Sequence, residues 1–187
     1  MKYVALLRGV NVGGKNVLLM SELKSCFEGM GFEYVSTHIQ SGNVLFSSKE
    51  DDLNKLTERI EDVLSKNFDY KSCMIVVSHE QLKKVITRAP AGFGSDLDSY
   101  RYDVIFLKEP LSTDNAMKSI KVKEGVDQVF AGPGVLYFSG LINKARQSRL
   151  SRIVMMPIYQ SMTIRNWNTA IKLFSIMNLW EEGSASV

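Results

Sequence analysis

The chain has 187 residues, of which 45% are hydrophobic and 23% charged, with a formal net charge of +3. That balance excludes a disordered or fibrous chain and fits one ordinary domain or two small ones. No apolar run approaches the roughly 18 residues a membrane span needs, and residues 1–8 hold too short an apolar part for a signal peptide. Two cysteines, Cys26 and Cys73, without an export signal point to a reducing cytoplasm. With only His38 and His79 beside them, the chain is too poor in Cys and His for a zinc site, and no metal is expected.

Residues 3–7 read as a buried strand that ends at Gly9, and Gly13-Gly14 keep the following loop permissive. Ser21 is the expected cap of a helix to Met30, with Leu23, Phe27 and Met30 on one face and Gly31 as its stop. Two strands follow at 35–39 and 43–46, joined by a Gln40-Ser41-Gly42 turn. Asp51 or Asp52 opens a second helix whose stripe is Leu53, Leu56, Ile60, Val63 and Leu64, and residues 74–77 form another strand. The order strand, helix, strand, strand, helix, strand is the ferredoxin-like arrangement. It predicts one antiparallel sheet with both helices on one face. The other face must be solvated, covered or used for binding.

Ser78 and Gln81 form a capping box at the head of a bridging helix that ends at Pro90, and residues 91–96 have the composition of a linker or loop. A second series then starts: a strand at 102–107, a helix capped by Ser112 or Thr113, a hairpin of 126–130 and 135–138, and a helix from Asn143 to Ile153. A final helix is expected with Thr163 as cap and Ile164, Trp167, Ile171 and Phe174 on one face. The fold class is therefore α+β, two small ferredoxin-like units with antiparallel sheets and helices packed on one face. The expected domains are 1–78, a bridge at 79–98, and a second, altered unit at 99–187.

Charge is unevenly placed. Residues 1–88 are nearly balanced, but no Asp or Glu occurs from Gln128 to Trp180, a stretch that holds Lys144, Arg146, Arg149, Arg152, Arg165 and Lys172. Arg146, Arg149 and Arg152 recur every three residues, so on one helix they would be neighbours. This stretch is either a solvated face or a surface for anions.

Residues 9–15 fit Gly-x-x-x-x-Gly-Lys after a strand, yet Asn16 stands where a phosphate loop needs a magnesium-binding hydroxyl, and the helix begins late. The loop either binds nothing or makes a looser anion contact through Arg8 or Lys15. Arg165, in the expected first turn of the last helix, offers a second anion site beside the amides of Asn166 and Trp167. On that helix Arg165, Thr169 and Lys172 would share a polar face. Trp167 is expected in the core, His38 as a structural strand residue and His79 at the surface. Cys26 and Cys73 are expected reduced, packed as small apolar groups.

Three segments together resemble a known family: residues 5–16 (ALLRGVNVGGKN), residues 34–46 with IQSGNV, and residues 163–169 (TIRNWNT) with Lys172-Leu173. They are similar to the bacterial family catalogued as domain of unknown function 1697. Ser148-Arg149-Leu150 resembles a Ser-Lys-Leu segment of it, with Arg changing the hydrogen-bond geometry. The resemblance implies two small α+β units of ferredoxin-like character and imports no reaction and no cofactor. The shared residues are binding chemistry on loops more than core chemistry. The candidate ligand-binding residues are Arg8, Asn11, Gly13, Gly14, Lys15, Gln40, Ser41, Asn43, Arg165, Asn166 and Asn168, expected at an interdomain surface. The leading expectation is a binding protein for a phosphate-bearing ligand, a nucleotide or nucleic acid, with no membrane partner. The alternatives are an enzyme on a small phosphorylated or carboxylated metabolite and a protein-interaction or structural unit.

Overall fold

The computed structural model describes residues 1–11, 17–68 and 71–182, with residues 181 and 182 described by their backbone alone. The first sheet comprises β1 (Lys2–Leu7), β2 (Glu33–His38), β3 (Asn43–Ser47) and β4 (Met74–Ser78), with α1 (Met20–Gly29) and α2 (Leu53–Asn67) in the two crossovers. Its strands run in the order β2-β3-β1-β4, and all neighbours are antiparallel. This is the ferredoxin-like topology expected from the element order.

The period-2 pattern of the strands meets the helical stripes on one face. Tyr3, Ala5 and Leu7 of β1, Val44 and Phe46 of β3, and Met74 and Val76 of β4 pack with Leu23 and Phe27 of α1 and Leu56, Ile60 and Leu64 of α2. Phe46 is central: its ring lies 4.6 Å from Phe32, 5.4 Å from Phe27 and 5.5 Å from Tyr3. Burying each such ring contributes about 1.5–3 kcal/mol. The alternate strand residues Val4, Leu6, Leu45 and Val77 are buried too, so the opposite face of this sheet is covered. Asp52 caps α2, accepting from the amides of Asn54 (2.9 Å) and Lys55 (3.2 Å). By contrast, α1 starts at Met20, one residue before Ser21, and its N-cap Leu19 makes no side-chain bond.

The capping box closes as expected on α3 (His79–Thr87). The Gln81 amide donates to Ser78 Oγ at 3.2 Å, and the Ser78 amide to Gln81 Oε1 at 2.9 Å. His79 is not a surface residue: its ring stacks on Phe174 at 5.4 Å, and Nε2 lies 2.6 Å from Asn178 Oδ1.

The second sheet comprises β5 (Tyr100–Leu107), β6 (Asp127–Gly132), β7 (Val135–Leu141) and β8 (Met162–Asn166), in the order β6-β7-β5-β8. It repeats the first topology position for position. Its first crossover is α4 (Thr113–Ser119), capped by Ser112 Oγ accepting from the Asn115 amide at 3.3 Å. The second crossover is not the single helix expected from Asn143. It is a 3-10 segment (Ile142–Gln147), the short α5 (Leu150–Val154) and another 3-10 segment (Pro157–Ser161). Arg146, Arg149 and Arg152 therefore do not share one helix.

The strand β8 is the larger departure. The polar-apolar alternation of Thr163, Ile164 and Arg165 is a strand period, and it pairs with Asp103–Leu107 of β5. The last helix, α6 (Trp167–Glu182), starts after it. Its buried positions are Trp167, Ala170, Leu173 and Met177, while Ile171 is exposed. The segment expected as a linker or loop is a loop of turns, and Phe93 anchors it: its ring lies edge-on to Tyr102, Tyr137 and Trp167 at 4.9–5.3 Å, on the face of the second sheet away from α4.

The chain divides into two compact units, Met1–Leu82 together with the chain from Leu173, and Lys83–Lys172. The dividing points lie inside α3 and α6. Among the described residues no helix is long and apolar enough to cross a membrane.

Candidate functional site

The sequence-predicted site residues fall into two sets, one in each unit. In the first unit they gather at one end of the sheet. The Leu7 amide donates to Gly42 O at 2.8 Å, and the Arg8 amide to Cys73 O at 2.9 Å, so the end of β1 is tied to the β2–β3 turn and to the entry of β4. Asn11 completes the tie. Its Nδ2 donates to Leu18 O (3.0 Å) and Gln40 O (2.9 Å), while Oδ1 accepts from the Leu18 amide (2.8 Å).

Four residues at this rim have left-handed backbone: Gly9 (φ 71°), Asn11 (54°), Ile39 (51°) and Gly42 (70°). Ile39 is the costly one, because a β-branched side chain resists that region. Gly42 is required. A Cβ there would sit 2.4 Å from Val10 Cγ2 and 2.9 Å from Leu7 Cβ.

Asn43 is fully buried, with Nδ2 donating to His38 O (3.0 Å) and Ser41 Oγ (2.9 Å), so its role is to shape the turn. Arg8 is half-buried, while Gln40, Val17, Leu19 and Ile39 are exposed. Gly13, Gly14 and Lys15 lie outside the described residues. The late helix start is confirmed, since α1 begins at Met20 and not at Lys15. Among the described residues no group of three or more His, Cys, Asp or Glu could hold a metal ion.

In the second unit the geometry differs from expectation. Arg165 is on β8, not in a helical first turn, and is 8% exposed. Its Nη1 donates to Thr163 Oγ1 and Ile164 O, both at 2.9 Å. Burial pulls the guanidinium down to about 10, so it remains charged at neutral pH. As a strand residue, Arg165 does not sit beside the free amides of a helical first turn, the ground for expecting an anion site there. Asn166 caps α6, with Oδ1 accepting from the Asn168 amide at 3.0 Å and Nδ2 donating to Tyr102 O at 3.1 Å. The six cations of the acid-free stretch also do not share a surface, since Arg165 is inside. Trp167 is core, as expected, at 6% exposure.

Sequence reasoning passed over three charged residues of this unit. Asp103 is fully buried and bound by Arg101 through two bonds, Nε to Oδ2 at 2.6 Å and Nη2 to Oδ1 at 3.0 Å. Burial pushes the Asp103 carboxyl above its ordinary range, against the pull of Arg101. Asp127 is buried at the start of β6. The available signal was the spacing: Arg101 and Asp103 are two apart on a strand and so share a face.

Two ferredoxin-like units, the first with left-handed backbone at Gly9, Asn11, Ile39 and Gly42 along its rim, define a two-unit α+β protein. The chain belongs to the family described as Protein of unknown function (DUF1697), whose model matches residues 1–137. It is also similar to the solved structure of the conserved bacterial protein SP0830 from Streptococcus pneumoniae. The two share 27% identity over 93% of this chain and 97% of that one, with a TM-score of 0.80. No curated protein matches the chain.

Proposed function

We propose that the rim of the first sheet binds a phosphate-bearing ligand, a nucleotide or a nucleic acid, through Arg8, the glycine loop with Gly13, Gly14 and Lys15, and the turn at Gln40 and Ser41. The observation that carries this reading is the threefold hydrogen bonding of Asn11 amid left-handed backbone. Rare backbone conformations persist where the surroundings over-determine them, and such places cluster at ligand clamps. In this reading Asn11 and Asn43 are positioning residues, and the contacts come from Arg8, Lys15 and main-chain amides. Arg165, Asn166 and Asn168 are not part of it: Arg165 bonds Thr163 and Ile164 within β8, and Asn166 bonds Tyr102 and the Asn168 amide at the start of α6.

The test is thermal stability of the whole chain against inorganic phosphate, nucleoside mono- and triphosphates, and single- and double-stranded oligonucleotides. A ligand present at 100 times its Kd stabilises by about 2.7 kcal/mol, a readable rise in Tm. Arg8→Ala should abolish that rise without lowering the Tm of the unliganded protein. A steep fall of affinity with salt selects nucleic acid, and a shallow one a nucleotide. No rise with any phosphate probe defeats the proposal.

A further inference from the structure

β6 forms one edge of the second sheet, whose order is β6-β7-β5-β8. Its hydrogen-bond phase is fixed at both ends of the hairpin. The Leu141 amide donates to Val126 O, so Val126 is turned toward β7. The Gly134 carbonyl accepts from the Leu107 amide of β5, so the next residue, Val135, is turned the other way, toward Gly132. Backbone groups alternate in direction along an antiparallel strand. Gln128, Phe130 and Gly132 therefore bond β7, while the amides and carbonyls of Val129 and Ala131 point outward from the sheet. They meet no partner among the described residues.

Exposed edges are ordinarily protected by a bulge, a Pro or a charged side chain. The corresponding edge of the first sheet, β2, has such a device in the register shift between Glu33 and Ser36. The register of β6 is regular from Asp127 to Gly132. Its one charged residue, Asp127, is 4% exposed, and its carboxylate is held by the amides of Lys123 and Arg149. Residues 128–132 hold no charge and no Pro, and Gln128, Phe130 and Ala131 are exposed.

We propose that β6 pairs antiparallel with β6 of a second copy of this chain, about a two-fold axis at Phe130. That register sets Val129 opposite the second copy's Ala131, and Ala131 opposite its Val129. In each pair the outward groups face one another and exchange two hydrogen bonds. Phe130, 41% exposed, meets its own copy in the intervening pair, where side chains come closest. Neighbouring registers fail. Centres on Gln128, Val129, Ala131 or Gly132 each set Val129 or Ala131 opposite Asp127 or Pro133. The Asp127 amide already donates to Lys123 O at 2.8 Å, and Pro133 has no amide. A foreign strand would gain main-chain bonds alone here, whereas a second copy adds the ring pair and brings no charge opposite a charge. The overlap is short, so the dimer is weak. The proposal stands on the second unit alone and is independent of the reading of the first.

The test is sedimentation velocity of the whole chain from micromolar to millimolar concentration. A reversible monomer–dimer equilibrium is expected. Ala131→Pro removes an amide that bonds nothing in the monomer, a position where an edge strand tolerates Pro, and should leave the chain monomeric throughout. Phe130→Lys changes an exposed side chain and sets like charges opposite one another. It should raise the dimer Kd at least about tenfold, and it carries the test should Ala131→Pro fail to fold. Mixing the Phe130→Lys and Phe130→Glu chains should restore the association that each alone has lost, a result particular to a register that sets position 130 against itself. A chain still monomeric at millimolar concentration, a dimer unmoved by Phe130→Lys, or no recovery in the mixture would overturn the assignment.

Discussion

Asn11 uses its whole side chain in three hydrogen bonds while its backbone is left-handed. Asn11→Ala loses both the bonds and the tolerance for that backbone, and should destabilise the protein by about 1–3 kcal/mol in urea unfolding. Asn11→Gly keeps the backbone freedom, so the gap between the two variants measures the conformational part. Gly42→Ala forces a methyl onto Val10 and Leu7 and should cost about 2–4 kcal/mol by the same measurement. An Ala variant as stable as the parent would show that the turn relaxes freely. Tyr137 gives a pH prediction. Its hydroxyl donates to Val85 O at 2.7 Å, and burial pushes the phenol up to about 12. The unfolded phenol ionises near 10. Below that both states keep the proton. Between about 10 and 12 only the unfolded chain loses it, so stability falls as pH rises through that window. Tyr137→Phe should flatten this alkaline slope, at a cost of about 1 kcal/mol near pH 7. An unchanged slope would assign the alkaline loss to other groups.

At the scale of elements, legibility followed how local the determining contacts are. The Ser78–Gln81 box formed as read, and of the paired candidates Asp51 or Asp52 and Ser112 or Thr113 the caps are Asp52 and Ser112, each set within four residues. The first sheet was legible because its strands are bounded by turn residues and its helices carry full stripes. The run 162–174 misled because two periods overlap in it. Ile164, Trp167 and Ile171 satisfy a helical spacing, but Thr163, Ile164 and Arg165 also alternate, and pairing with β5 decides in favour of the strand. What marks the true helix start is Asn166, a residue noted for its chemistry and not for capping. Asn166→Ala should therefore lower stability by about 1–2 kcal/mol, with the loss of amide protection concentrated in the first turn of α6. The tie at the end of the first sheet was legible where its residues cluster in sequence, at Asn11 and the 40–43 turn. The burial of Asp127 was not legible because one of its two amide partners, Arg149, lies 22 residues away.

Taken as a molecule, the chain uses one topology twice, with order β2-β3-β1-β4 in the first sheet and β6-β7-β5-β8 in the second. The similarity lies in the path of the chain, not in the residues: full-length helices fill both crossovers of the first copy, while short 3-10 and α segments fill the second crossover of the other. The first unit depends on residues far along the chain. Lys2 Nζ donates to Met177 O at 3.0 Å, Phe174 stacks on His79, and Trp180 lies 6.2 Å from Tyr34. Deleting the chain from Leu173 should sharply lower hydrogen-exchange protection in β1 and β4 and leave β5 and β7 largely protected. Equal loss in both sheets would mean that the units unfold as one. The same dependence orders events during synthesis. Residues 83–172 are all synthesised before the part of α6 from Leu173 onward that completes the earlier-made sheet, so the second unit has all of its parts first. Domains ordinarily mature from the N-terminus onward; here the nascent first sheet must wait, incompletely covered, until the chain from Leu173 is made.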